Sequence, residues 1–212
     1  WTLPSNVALC VNPVDTYCKV KAADGYTYYM AKELLDRVLG KLATEEAPTY
    51  EILEEYVGQD LEYKEYEPLF DFVKPVCEKQ RKKAHFITCD SYVTMSDGTG
   101  IVHIAPTFGA DDAKVAKEAG IPSLFMINKR GETRPMVDMT GKYYLLAECD
   151  DTFCERCVNL DGYKQHEGNY VKNAYDPQFN PDGKYDEKAA AKAEDLNIYL
   201  CMEMKQAGTA LK

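Results

Sequence analysis

Apolar and polar positions along the first third of the chain fall into short runs separated by turn residues. Val7–Val11 is a continuous apolar run closed by Asn12-Pro13, the pattern of a buried strand and its turn. Tyr17–Val20 and Tyr26–Met30 flank Asp24-Gly25, a dipeptide suited to a tight hairpin. Over 31–42 the period changes. Leu34, Leu35, Val38, Leu39 and Leu42 recur at helical spacing and predict a helix. Tyr50–Phe72, rich in Tyr and Glu with Gly58 and Pro68 as punctuation, reads as strand and loop. Ala84–Met95 is β-rich, Ser96–Gly100 is a sharp turn, and Ile101–Ala105 is a further strand. Asp111–Ala119 predicts a short helix stopped by Gly120 and Pro122. Pro122–Ile127 predicts a strand before the Asn128–Gly131 turn.

Beyond residue 140 the pattern loosens. Gly, Pro, Asn and Asp are spread through 149–184, predicting a long, partly exposed, loop-rich excursion. A long helix is expected over Asp186–Ala207, with Ala189, Ala193, Leu196, Leu200, Met204 and Ala207 on one face and Gly208 as its stop. Many short strands among a few helices, without regular strand–helix alternation, predict a mixed α and β, barrel-like domain rather than a doubly wound sheet.

The 212 residues suit a single domain, 1–212, and at 45% hydrophobic and 11% aromatic the composition excludes disorder. Lys and Arg total 25 against 35 Asp and Glu, a formal charge of −10. That balance disfavours stand-alone, sequence-independent binding to a phosphate backbone, and no DNA partner is expected. A local basic patch within a larger complex remains compatible with it. No apolar run approaches the roughly 18 residues of a membrane span. The chain opens on Trp1 rather than Met, so it is expected to be excised from something longer. A chain of this size does not need disulfides, and the eight cysteines are expected as reduced thiols in a cytoplasmic setting. Cys149, Cys154, Cys157 and His166 have the residue types of a zinc site, but the single CxxC lacks a second pair, and no metal is expected.

Conventional catalytic signatures are missing: there is no GxSxG, no HExxH and no phosphate-cradling loop. His85 and His166 read as partly exposed bystanders. His103, between Val102 and Ile104 in an apolar strand, reads on its own as a satisfied core histidine. Asp111-Asp112 opens a short helix, where one carboxylate is expected to cap the helix and both favour the positive end of its dipole. The other can face a cavity and hold a cation such as an ammonium group. The strand of His103 runs through Ala105-Pro106 into this helix, so both side chains can line one pocket.

These residues carry a resemblance. Trp1-Thr-Leu-Pro-Ser-Asn6 with Val-Ala-Leu-Cys-Val-Asn-Pro13, Tyr66-Glu-Pro-Leu-Phe70, Asp97-Gly-Thr-Gly-Ile-Val-His-Ile-Ala-Pro106 and Thr107-Phe-Gly-Ala-Asp-Asp112 follow in the order of the editing insertion of isoleucyl-tRNA synthetases. Valyl and leucyl enzymes share that architecture, but usually carry Lys and Met, respectively, where His103 stands. The second half matches less clearly, although Gly168-Asn-Tyr-Val-Lys172 before a helix resembles the eukaryote-like branch.

The resemblance implies the barrel-like editing domain of the valyl/leucyl/isoleucyl type and hydrolysis of valine from mischarged tRNA(Ile), with valyl-adenylate as a further substrate. It assigns Asp112 to the substrate's α-ammonium and His103 to the amino-acid pocket. Trp1, Thr2 and Asn6 fall in the threonine-rich segment beside the terminal adenosine, and Thr99 is a candidate by location. The family's further threonines would precede Trp1, so weak activity is expected of this stretch alone. Implied partners are the valine-bearing acceptor end of tRNA(Ile) and the remainder of a synthetase. Editing needs no cofactor, and ATP and zinc would belong to other parts of the parent. The competing readings are a catalytically silent tRNA-docking insertion and a small Cys/His metal module.

Overall fold

The apolar run at 7–11 forms β1 (Ala8–Val11), the centre of a three-stranded sheet, in a computed structural model that describes residues 1–42, 49–75 and 83–210. β1 lies parallel to β5 (Phe86–Cys89) and antiparallel to β6 (Ile101–Ile104), with Leu9 opposite both Ile87 and His103. Flanked on both sides, β1 buries Ala8, Cys10 and Val11 completely.

β2 (Thr16–Ala22) is central in a second, antiparallel sheet, between β3 (Thr27–Ala31) and β4 (Tyr50–Val57). The hairpin at Asp24-Gly25 closes as expected, with Gly25 at φ 86°. α1 (Leu35–Leu39), extended at both ends by 3-10 turns, packs Leu35 and Leu39 on Cys18, Val20 and Met30. The Leu42 side chain lies outside the described residues, as does Cys77. The two sheets are tied by Tyr17. Its hydroxyl donates to Gly100 O at 2.7 Å and accepts from Asn12 N–H at 2.9 Å.

Several expectations are corrected. Among the described residues no ladder joins the sheets into a closed barrel; the fold is mixed α and β built on small sheets. Only Met126–Ile127 of the 122–127 segment is extended, as β7 paired with β8 (Thr133–Arg134) across the Asn128–Gly131 turn. The 149–184 segment is not a loose excursion. It folds as α3 (Asp151–Cys157), α4 (Leu160–Lys164) and three 3-10 turns, and buries Cys149, Phe153, Val158, Tyr163, Val171 and Phe179. Its polar residues cap these turns: Asp150, Asn159 and Asp176 each accept a backbone N–H at a helix start. The expected 186–207 helix is two, α5 (Glu187–Ala190) and α6 (Leu196–Gln206), because Asp186 and Asp195 each cap a separate start.

α2 (Ala110–Glu118) follows β6 after a short turn and rests Val115 and Ala116 on the main core. That core runs from β1 and β6 through Leu124, Met126 and Met136 to Tyr143, Tyr163, Leu196 and Leu200. Among the described residues, no helix is long and apolar enough to cross a membrane.

Candidate active site

The end of β6 and the turn after it bring His103 and Phe108 to the segment Trp1–Thr2, and the first turn of α2 puts the Asp112 carboxylate within electrostatic reach of His103. His103 sits opposite Leu9, and its Nε2 lies 3.1 Å from Thr2 Oγ1. Its Nδ1 is buried and has no hydrogen-bond partner among the described residues. Burial lowers the imidazole pKa from its ordinary 6.5, with the Asp112 carboxylate acting in the opposite sense. Desolvation outweighing a nearby negative charge favours neutral imidazole at neutral pH. The satisfied core histidine expected from sequence is thus only half satisfied.

Asp112 does not serve as a helix cap, and neither does Asp111. The N-cap of α2 is Gly109, with no side-chain cap, which corrects the expectation that one of the pair would fill that role. Asp111 is exposed. Asp112, three residues past the N-cap, turns its carboxylate back to the strand, where Oδ2 accepts Ala105 N–H at 2.8 Å. Its Oδ1 makes no hydrogen bond among the described residues and is available to a cation.

Trp1 meets Phe108 edge to face, with centroids 5.0 Å apart and planes at 73°. Its carbonyl accepts the Tyr143 hydroxyl at 2.9 Å. Through Trp1, this aromatic pair adjoins Thr2 in the chain.

Two residues expected here are elsewhere. Asn6 is spent on structure: its Nδ2 donates to Ala8 O at 2.7 Å and its Oδ1 accepts the Tyr66 hydroxyl. His85 Nε2 also lies 3.3 Å from the Asn6 carbonyl. Thr99 lies in the turn that enters β6, at the end of the strand opposite the turn into α2. Its carbonyl accepts Ala31 N–H. Residues unmarked by sequence are also present. Thr107 Oγ1 and the Tyr92 hydroxyl are buried without partners among the described residues. Burial raises the Tyr92 phenol pKa, with Cys10 and Asp112 adding to it. Thr107 opens the Thr107–Asp112 motif without being singled out by it, and Tyr92 carries no sequence signal, since it is marked only by its burial.

Of the Cys/His set, the Cys149 and Cys154 thiols are in hydrogen-bond contact, whereas His166 is engaged elsewhere. Cys149 Sγ donates to Leu145 O, while His166, expected to be partly exposed, is 6% exposed and pairs through Nε2 with Glu203 Oε2 at 2.9 Å. Among the described residues no three His, Cys, Asp or Glu side chains gather as metal ligands. Clefts of about 440 and 600 Å³ lie along α6, away from His103 and Asp112.

No family model matches the chain. It is 50% identical over 233 residues to the isoleucine–tRNA ligase of Bacteroides thetaiotaomicron, across 100% of this chain and 20% of that protein. The Bacteroides fragilis (strain YCH46) ligase is 44% identical over 227 residues, 100% of this chain and 19% of that protein. That of Porphyromonas gingivalis is 39% identical over 221 residues, 97% and 18%. The chain therefore spans about a fifth of the length of the curated relatives it matches. Among solved structures, the GlLeuRS-CP1 crystal structure aligns with a TM-score of 0.45 at 18% identity, over 55% of this chain and 40% of that one. The relatives named are bacterial, and they do not test the expectation of a eukaryote-like branch.

Proposed function

We propose that this chain, which is homologous over its full length to one stretch of the isoleucine–tRNA ligases, hydrolyses valine from mischarged tRNA(Ile) in the cytoplasm. The observation that supports the reading most is the Thr2–His103 contact across the chain, with the Asp112 carboxylate held on Ala105 N–H and acting electrostatically on the same imidazole.

The substrate is an ester between valine and a ribose hydroxyl. An acyl ester is already activated, so its hydrolysis depends on a positioned water and a stabilised oxyanion more than on a strong protein base. Asp112 Oδ1 accepts the α-ammonium in a charge-assisted hydrogen bond while Oδ2 stays on Ala105 N–H. Water attacks the carbonyl carbon, the tetrahedral intermediate collapses, and the ribose oxygen leaves and takes up a proton. Neutral His103 and the Thr2 hydroxyl line the acyl end of this path as hydrogen-bonding groups, and the Trp1–Phe108 pair limits side-chain size. Such a second sieve is needed because one methylene gives a first site only about 1–3 kcal/mol, a general figure for which isoleucine against valine is the standard case. Valyl-adenylate presents the same ammonium and is a further substrate in this reading. Partners are the tRNA(Ile) acceptor end and the remaining polypeptide of a synthetase; the chemistry calls for no cofactor.

Offering valyl- and isoleucyl-tRNA(Ile) in parallel tests the proposal: valine should be released and isoleucine retained. Release of neither would leave the silent docking insertion as the better account.

A further inference from the structure

Gly109 is the N-cap of α2, at φ −116° and ψ 134°. That is ordinary extended backbone open to any residue, so conformational freedom does not explain a glycine here. Ser, Thr, Asp or Asn would satisfy an α2 N–H, and no side chain does so. The explanation lies with Asp112. A Cβ on Gly109 would stand 2.7 Å from Asp112 Cγ, 2.9 Å from Oδ2 and 3.0 Å from Oδ1. The carboxylate fills the volume that a side chain at 109 would need.

We infer that Gly109 is a positioning residue, whose missing side chain is the seat that holds the Asp112 carboxylate on Ala105 N–H with Oδ1 turned outward. The inference rests on the proposed editing reaction for its functional consequence, but its geometry does not depend on that reading. Ala105 follows the strand of His103 directly, so one hydrogen bond fixes the acidic and imidazole groups relative to each other. Any Cβ at 109 pushes the carboxylate off this seat. A displacement of about 1 Å at a reacting centre is enough to cost on the order of 100-fold in rate.

The test is a cycle of Gly109→Ala, Asp112→Ala and the double variant in the full-length polypeptide, with Gly109→Ser added because its hydroxyl can cap α2. With Asp112 present, Gly109→Ala should lower Tm, and the Ala105 amide should lose its hydrogen-bond protection in exchange experiments. With Ala at 112 the same change should lower Tm less, by no more than the loss of a glycine N-cap. Valyl-tRNA hydrolysis should fall about 10- to 100-fold in Gly109→Ala and Gly109→Ser, and the double variant should be no slower than Asp112→Ala alone. Additive losses, or an unaltered Ala105 amide in Gly109→Ala, would overturn the inference. If the unsubstituted protein hydrolyses no valyl-tRNA while the Tm cycle behaves as stated, the editing reading fails and the seat stands.

Discussion

His103 Nε2 and Thr2 Oγ1 lie 3.1 Å apart although 101 residues separate them, and this contact joins the opening segment to β6. Replacing Thr2 by Val keeps the shape and removes the hydroxyl, leaving both imidazole nitrogens without a partner. The cost should be about 1–3 kcal/mol of stability. If the hydroxyl contributes in the transition state, hydrolysis slows by roughly tenfold. Chemical denaturation with single-turnover deacylation measures both, and an unchanged midpoint would show that the contact contributes nothing to stability.

Different substitutions separate the bond that Asp112 makes to Ala105 N–H from the ammonium contact proposed for it. Asp112→Asn can keep an oxygen on Ala105 N–H while removing the charge, so the fold should hold. Loss of the ammonium contact should cost about 1.5–3 kcal/mol, or roughly 10- to 100-fold in kcat/KM. Asp112→Ala should additionally lose about 1–3 kcal/mol of stability by orphaning that N–H. Asp111→Ala, at an exposed position that caps nothing, should cost no more than about 0.3–1 kcal/mol through the helix dipole. Urea midpoints for the three variants check this ordering.

The pH dependence follows from His103. Its folded-state pKa lies below 6.5, lowered by burial, so above that value folded and unfolded chains are both neutral there and stability is at its full level. As pH falls below 6.5 towards the folded value, the unfolded chain takes up the proton first and stability is lost. Burial also lowers the pKa of His85, with its contact to the Asn6 carbonyl opposing, and adds in the same direction. Thermal unfolding between about pH 8 and pH 5 should show this decline, and His103→Gln should flatten it. An equally steep decline in that variant would remove His103 as its source.

Tyr17 should matter to stability as much as the residues of the site. Tyr17→Phe removes the acceptor of Asn12 N–H and the donor to Gly100 O, both at the junction of the two sheets. About 1–3 kcal/mol should be lost, with the ring still packed. A loss well below 1 kcal/mol would mean that water replaces the hydroxyl.

Short-range patterns were legible wherever a strand or helix is decided by neighbouring residues. The 7–11 run, the Asp24-Gly25 hairpin and the α2 periodicity all appear in the structure. The C-terminal half was not legible in this way. A composition full of Asp, Asn, Gly and Pro looks like loop, yet here those residues end and restart short helices whose stability comes from burying Phe153, Tyr163 and Phe179. The split between α5 and α6 has the same origin, since a capping Asp195 within a helical apolar pattern marks a new start. At the site, His103, Asp112, Thr2 and Trp1 could be marked from motifs. Thr99, a candidate by location alone, lies in the turn that enters β6, and its carbonyl accepts Ala31 N–H. Gly109 could not be seen to matter, because the reason for it is a volume that only the folded chain defines.

The central claim is that this constellation removes valine and spares isoleucine. Its most direct test is the single-turnover rate of ester hydrolysis for valyl- and isoleucyl-tRNA(Ile), measured in full-length protein with Asp112 intact and with Asp112→Asn. The account predicts rapid release of valine, retention of isoleucine, and loss of roughly 10- to 100-fold of the valine rate in the variant. Equal release of the two amino acids, or a valine rate indifferent to the Asp112 charge, would contradict it.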